Sequence, residues 1–215
     1  MKISYQEEVA KILLDIESIK FSFNNPFILT SGEKSPVYVD CRKIISFTKE
    51  RNKILDIAED YIKKNKLSFN ILAGGETAGI PYASFLAERL QKPMVYIRKK
   101  SKGFGKNKQI EGSFKKKDKA ILIEDLSTDG ASKEIFVNAM KNEGLIVKDI
   151  FVIFYYNIFK LSKTSLSKLD VKIHYLCTWK DVLNVIKDNN IITKANQINL
   201  NDFIYDPINW RKKNG

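Results

Sequence analysis

The chain has 215 residues, 44% of them apolar and 29% charged, with a formal net charge of +12 from 37 Lys and Arg against 25 Asp and Glu. That length suits one well-buried α/β domain rather than two, and no apolar run nears the roughly 20 residues that cross a bilayer. The N-terminus turns acidic at Glu7 and Glu8, which argues against a signal peptide and makes the cytosol the expected compartment. Cys41 and Cys177 lack His or Cys neighbours at metal-ligand spacing and are expected to be buried free thiols. The single histidine, His174, lies in an apolar run with nothing to pair it with a nucleophile, so Ser-His-Asp and Cys-His chemistry have little support. Spread lysines make a solvated surface, but Arg98–Lys102, Lys115–Lys117 and Arg211–Lys213 are clusters. A basic surface fits nucleic acid or a small polyphosphate; without a nucleic-acid-binding signature, the small polyanion is expected.

In chain order, Val9, Ile12, Leu13, Ile16 and Ile19 follow the i, i+3, i+4 spacing of an amphipathic helix, with Ser4 and Glu7 at capping-box separation. Asn24-Asn25-Pro26 breaks that pattern, and residues 27–40 alternate like a hairpin turning at Ser31–Lys34. Residues 49–65 read as a helix. Short apolar strands then alternate with helices: strand 69–73, helix 79–90, strand 94–98, strand 120–123, helix 131–143 and strand 149–156. That alternation predicts an α/β fold, a mainly parallel central sheet flanked by helices. Residues 99–118 interrupt it with a Lys- and Gly-rich stretch, long enough to be functional or disordered. A strand over 171–176, a helix from about Trp179 and a polar tail holding Trp210 follow as accessory structure. One domain is expected, with an N-terminal region 1–48, a core 49–157 and C-terminal elements 158–215.

Ligands of open α/β sheets bind beyond the carboxyl ends of the strands. Three ends here carry suggestive residues: Gly74-Gly75-Glu76-Thr77, Arg98-Lys99, and Glu124-Asp125. After the acidic pair come Leu126, Ser127, Thr128, Asp129, Gly130, Ala131 and Ser132, then the helix. Unpaired N–H groups and the helix dipole at such a turn attract a phosphate. The carboxylates would repel that phosphate but suit hydroxyls or a cation beside it. A sugar phosphate such as ribose 5-phosphate meets both demands.

The stretch 124–132 resembles the phosphoribosyl pyrophosphate (PRPP) signature of the type I phosphoribosyltransferases. Two further blocks sharpen the likeness. Phe27–Arg42 resembles the N-terminal hairpin lining the base pocket in the orotate phosphoribosyltransferase family, and Arg98–Gly105, continuing to Ile110-Glu111-Gly112, resembles its mobile loop. The resemblance covers about residues 21–156. It implies a type I phosphoribosyltransferase-like fold with an N-terminal helix and hairpin hood over a PRPP-binding core, acting as a homodimer. It implies transfer of ribose 5-phosphate from PRPP to orotate, giving orotidine 5′-monophosphate and pyrophosphate in pyrimidine biosynthesis, with Mg²⁺ held mainly by PRPP. In that scheme Glu124 and Asp125 hold the ribose, Leu126–Ser132 the 5-phosphate, and Arg98, Lys99, Lys102 and Phe104 the pyrophosphate end. Lys102, Asp125 and Glu124 carry the catalysis, and Tyr38, Val39, Thr128 and Tyr156 meet orotate.

The chain departs from the family pattern at three places. Thr30 stands where lysine is frequent, Phe104 where histidine is frequent, and Tyr155-Tyr156 where an Asp-Arg pair is usual. The missing arginine leaves the orotate carboxylate to Lys34, Arg42 or backbone donors near Tyr38, or else signals a different base. The alternatives are therefore a phosphoribosyltransferase for another nucleobase, or a non-catalytic PRPP-sensing regulator that binds nucleic acid. No membrane partner is expected, and nucleic acid is the weaker expectation.

Overall fold

Ser4 accepts a hydrogen bond from the Glu7 amide while Glu7 caps the Ser4 amide, and this reciprocal pair starts helix α1 (Tyr5–Asp15) at the predicted box. A computed structural model describes residues 4–29, 32–100, 109–158 and 164–214. They form two compact units. One draws on Met1–Arg51, Tyr156–Ile158 and Cys177–Gly215, the other on Asn52–Tyr155 and Phe159–Leu176.

In the first unit, strand β1 (Ile19–Phe21) is followed by β2 (Phe27–Ile28), β3 (Lys34–Ser35) and β4 (Val37–Val39). The single hairpin expected over 27–40 is two pairings instead. β2 pairs antiparallel with β3, whereas β4 pairs antiparallel with β1. Pro36 stands between β3 and β4, and without an N–H it cannot carry the first ladder onward. Asp40 then caps a 3-10 turn, Cys41–Ser46, by accepting from the Arg42 amide. The C-terminal part adds helices α5 (Trp179–Asn189), α6 (Lys194–Tyr205) and α7 (Pro207–Asn214), so the tail read as merely polar is helical. Its Trp210 is 4% exposed, stacks edge-on against Phe203 and donates to Asn199. Cys41 and Cys177 are buried free thiols, as expected.

The second unit is built on six strands ordered β10-β9-β8-β5-β6-β7, namely β5 (Ile71–Gly75), β6 (Met94–Ile97), β7 (Ile110–Glu111), β8 (Lys119–Ser127), β9 (Ile146–Tyr155) and β10 (Lys172–Thr178), whose last two residues belong to the first unit. β6, β5, β8 and β9 run parallel, and β7 closes one edge antiparallel. Helices α2 (Thr48–Lys64), α3 (Gly79–Leu90) and α4 (Ala131–Asn142) flank it. One sheet face, with Ile71, Ala73, Val95, Ile97, Ala120, Leu122, Ile150 and Val152, packs with Phe136, Val137 and Met140 of α4. The paired strand β7 falls inside the stretch 99–118, where the polar sequence predicts a loop that is functional or disordered. Among the described residues no helix is long and apolar enough to cross a membrane.

His174 is 1% exposed and is not idle in the core. Its Nε2 lies 2.8 Å from Asp149 Oδ1, and its Nδ1 lies 3.1 Å from the Tyr61 hydroxyl of α2. Replacing it with leucine removes both hydrogen bonds, which costs about 2 kcal/mol at roughly 1 kcal/mol each. His174→Leu is therefore expected to lower the urea midpoint clearly; an unchanged midpoint would show that this relay contributes nothing.

Candidate active site

The acidic pair lies within β8 rather than past its end. β8 stays paired with β9 out to Ser127 opposite Tyr155, whereas its pairing with β5 ends at Ile123 opposite Gly74. Strand alternation places Glu124 on the face of Ala120 and Leu122, towards α4, and turns Asp125 to the other side. Glu124 Oε2 meets Lys133 Nζ at 2.8 Å, both side chains almost wholly buried. Burial pushes the Glu124 carboxyl up to about 7, with Lys133 pulling the other way. Its Oε1 is buried and unpartnered. A Cβ at Gly75 would stand 2.2 Å from that oxygen, and one at Gly79 2.4 Å, so both glycines are required by close approach. Asp125 accepts from the Leu126 amide at 2.7 Å and is 7% exposed.

Beyond β8 the chain makes the expected turn into α4. Gly130 takes φ +85° as its N-cap. A side chain there would also strike Leu166, which sits 2.4 Å from an ideal Cβ. Asp129 Oδ1 accepts from Thr128 Oγ1 and, at 3.3 Å, from the Ala131 amide, while its carbonyl accepts from the Ser165 amide. Ser127 Oγ is buried with no partner. Thr128 and Ser132 are half-buried, and the first amides of α4 open the helix at Ala131 and Ser132. Such a turn can take an anion.

The other two strand ends converge as expected. The Glu76 amide donates to Ile97 O, and the Lys99 amide donates to Glu76 Oε2 at 2.8 Å, tying the end of β5 to that of β6. Arg98 pairs through its backbone with Gln109, and the Gln109 side chain returns a bond to Arg98 O at 3.2 Å. Arg98 Nη1 stands 4.0 Å from Glu111, and its Nε is buried without a partner. Lys102 and Phe104 lie outside the described residues, as does Thr30. Among the described residues no three His, Cys, Asp or Glu side chains cluster to hold a metal.

Tyr38, Val39 and Tyr156 come together in the first unit, whereas Thr128 belongs to the second. Burial raises the Tyr156 phenol well above its usual range, helped by Cys41 and Tyr38 and opposed by a Val39 backbone hydrogen bond. Its ring meets Trp179 edge-on. Arg42 Nε bonds Asp40 at 2.6 Å and Arg42 Nη2 donates to the Tyr38 hydroxyl at 3.2 Å, which raises the guanidinium further. Tyr155 instead belongs to the core of the second unit, against Tyr175.

Sequence reasoning missed Lys133, Gly79 and Gln109. Lys133 had a signal, since it falls on the i, i+3, i+4, i+7 stripe with Phe136, Val137 and Met140, where a charge needs a partner.

The acidic pair of β8, the glycine-started helix and two further strand ends make up the candidate site, and solved structures carry the same fold. The chain is similar to the UMP synthase of Leishmania donovani (TM-score 0.77, 25% identity, 94% of this chain and 42% of that longer one). It is also similar to an orotate phosphoribosyltransferase from Aeropyrum pernix (TM-score 0.72, 24% identity, 86% of this chain and 99% of that one). The fold is that of the type I phosphoribosyltransferases. No family model matches the chain. The orotate phosphoribosyltransferase of Roseobacter denitrificans is 41% identical over 207 residues, 95% of this chain and 92% of that protein. The chain belongs to the orotate phosphoribosyltransferase family.

Because a methyl at Gly75 would collide with Glu124 Oε1 and the Phe136 ring, Gly75→Ala is expected to destabilise the protein by about 2 kcal/mol, as overpacked cores do. A denaturation midpoint equal to wild type would place Glu124 elsewhere.

Proposed function

We propose that this chain transfers ribose 5-phosphate from PRPP to orotate. The observation that carries it is one continuous segment, Glu124–Ser132, in which buried carboxylates lead directly into a glycine-capped helix start. Glu124 and Asp125 accept from the ribose 2- and 3-hydroxyls, and the amides and hydroxyls of Thr128–Ser132 take the 5-phosphate. Arg98, Lys99 and Lys102 neutralise the pyrophosphate as its bond to C1 breaks and the bond to orotate N1 forms. Charge development at C1 needs no protein nucleophile, so orientation and preorganised charge carry the rate.

Mg²⁺ would arrive with the substrate and be held mainly by PRPP, because this ion keeps several waters and favours phosphate oxygens over an all-protein cage. Glu124 and Asp125 are then left to the ribose hydroxyls. When bound, Mg²⁺ neutralises the pyrophosphate oxygens. Orotate lies by Tyr38, Val39 and Tyr156 of the first unit. Arg42, already bonded to Tyr38, is the cation best placed in that unit to meet the orotate carboxylate in lieu of the missing arginine. The chain works as a homodimer in the cytosol; family resemblance supports the first and composition the second.

Pyrophosphate release that requires both PRPP and orotate, and fails with uracil or purines, tests the assignment; release with another base would overturn it. Asp125→Asn is expected to lower kcat/KM for PRPP by about 100-fold, the scale of a lost charge-assisted contact at a reacting centre, with the thermal midpoint unchanged. Retained turnover would remove Asp125 from the site. Lys102→Ala is expected to reduce kcat about 100-fold at unaltered stability, measured by steady-state kinetics and thermal denaturation; a parallel fall in stability would contradict a role confined to the leaving group.

A further inference from the structure

Lys133 is the third residue of α4 and is 5% exposed. Its companions on that helix face, Phe136, Val137 and Met140, are buried and apolar. A cation in this place is disfavoured by burial and by the positive end of the helix dipole. What offsets both is Glu124 Oε2, 2.8 Å from Nζ, with Ser132 Oγ accepting a second bond at 3.1 Å. Glu124 faces the mirror problem. Burial raises its pKa most, Lys133 lowers it, Asp125 on the same strand raises it and Lys99 after β6 lowers it. Gly75, Gly79 and Phe136 complete its surroundings and supply no charge. Neither partner is screened by water, and Oε1 stays without a hydrogen bond.

We propose that Lys133 is a positioning residue for the sugar-phosphate donor: its ammonium clamps Oε2 of Glu124, favours the carboxylate form, and reserves Oε1 as the acceptor for a ribose hydroxyl. The inference rests on the PRPP reading above and adds a residue to it. A carboxylate takes a hydroxyl by a charge-assisted bond, whereas a protonated one has lost that charge and part of its acceptor capacity. The orphaned oxygen marks the clamp as one-sided. A purely structural ion pair in the core would have both carboxylate oxygens satisfied.

Lys133→Met and Lys133→Arg decide the matter with two readouts. Carbon NMR titration of Glu124 in ligand-free protein is expected to show its midpoint about one pH unit higher in Lys133→Met, a tenfold change in the proton equilibrium, and near wild type in Lys133→Arg. In steady state, KM for PRPP at pH 7 is expected to rise about fivefold in Lys133→Met, as the ionised fraction of Glu124 falls, with kcat little changed. That loss should recover towards about pH 9, as Glu124 ionises. A Lys133→Met protein with unaltered titration and unaltered KM, only less stable, overturns the proposal. If Lys133→Met does not fold, the charge-free pair Glu124→Gln/Lys133→Met is compared with Glu124→Gln. Equal KM values support the clamp, and a higher KM in the double variant overturns it. Wild-type protein inert towards PRPP and orotate would sink the functional reading, whereas the titration needs no substrate and still decides the clamp.

Discussion

Strand β8 is the constraint on which the site depends, because it runs parallel between β5 and β9 and outlasts one of them. Its pairing with β9 continues through Glu124, Leu126 and Ser127, while β5 lets go at Gly74. The acids are thus held by a sheet ladder on one side, and Glu124 faces α4. Burying a carboxylate in such a place costs several kcal/mol unless a partner is close. Lys133 supplies the partner, and Gly75 and Gly79 supply the room. Register, helix start and ion pair are one arrangement, so a slip of one residue in β8 would send Glu124 to the opposite face and dissolve it.

Much of this was legible in residue order. The α/β alternation, the cap at Ser4 and Glu7, the helix 79–90 and the turn at Gly130 all follow from short-range rules of period and capping, and the structure keeps them. The errors come from long-range pairing. Nothing local in Val37–Val39 says that it pairs with Ile19–Phe21 rather than with its neighbour β2, except Pro36. Likewise Glu124 and Asp125 read as a strand end, because charge normally marks an exit from a buried sheet; only the pairing with β9 and the salt bridge from α4 allow the strand to continue. Gln109 bridging Arg98 was invisible for the same reason, as the bond joins residues eleven apart in the chain.

The basic surplus also sorts itself by geometry. Arg211, from one of the lysine- and arginine-rich clusters, is committed to Glu33 at 2.7 Å and to the Lys34 carbonyl, which makes it structural. Arg98 and Lys99 instead follow the parallel strand β6 at its carboxyl end. The tyrosines show a comparable division. Tyr155 fills the sheet core, but Tyr156 turns to Tyr38, Val39 and Trp179. At positions 155 and 156 this chain has one core residue and one aromatic neighbour of Tyr38 and Val39, with Arg42 bonded alongside Tyr38.

The most direct measurement is a crystal structure of the protein with PRPP and Mg²⁺. Oxygens of the terminal phosphoryl group should lie about 3 Å from main-chain amides at the start of α4, with the pentose diol against the β8 carboxylates. Density for the activated sugar elsewhere, with those amides still bonded only to Asp129, would contradict the account.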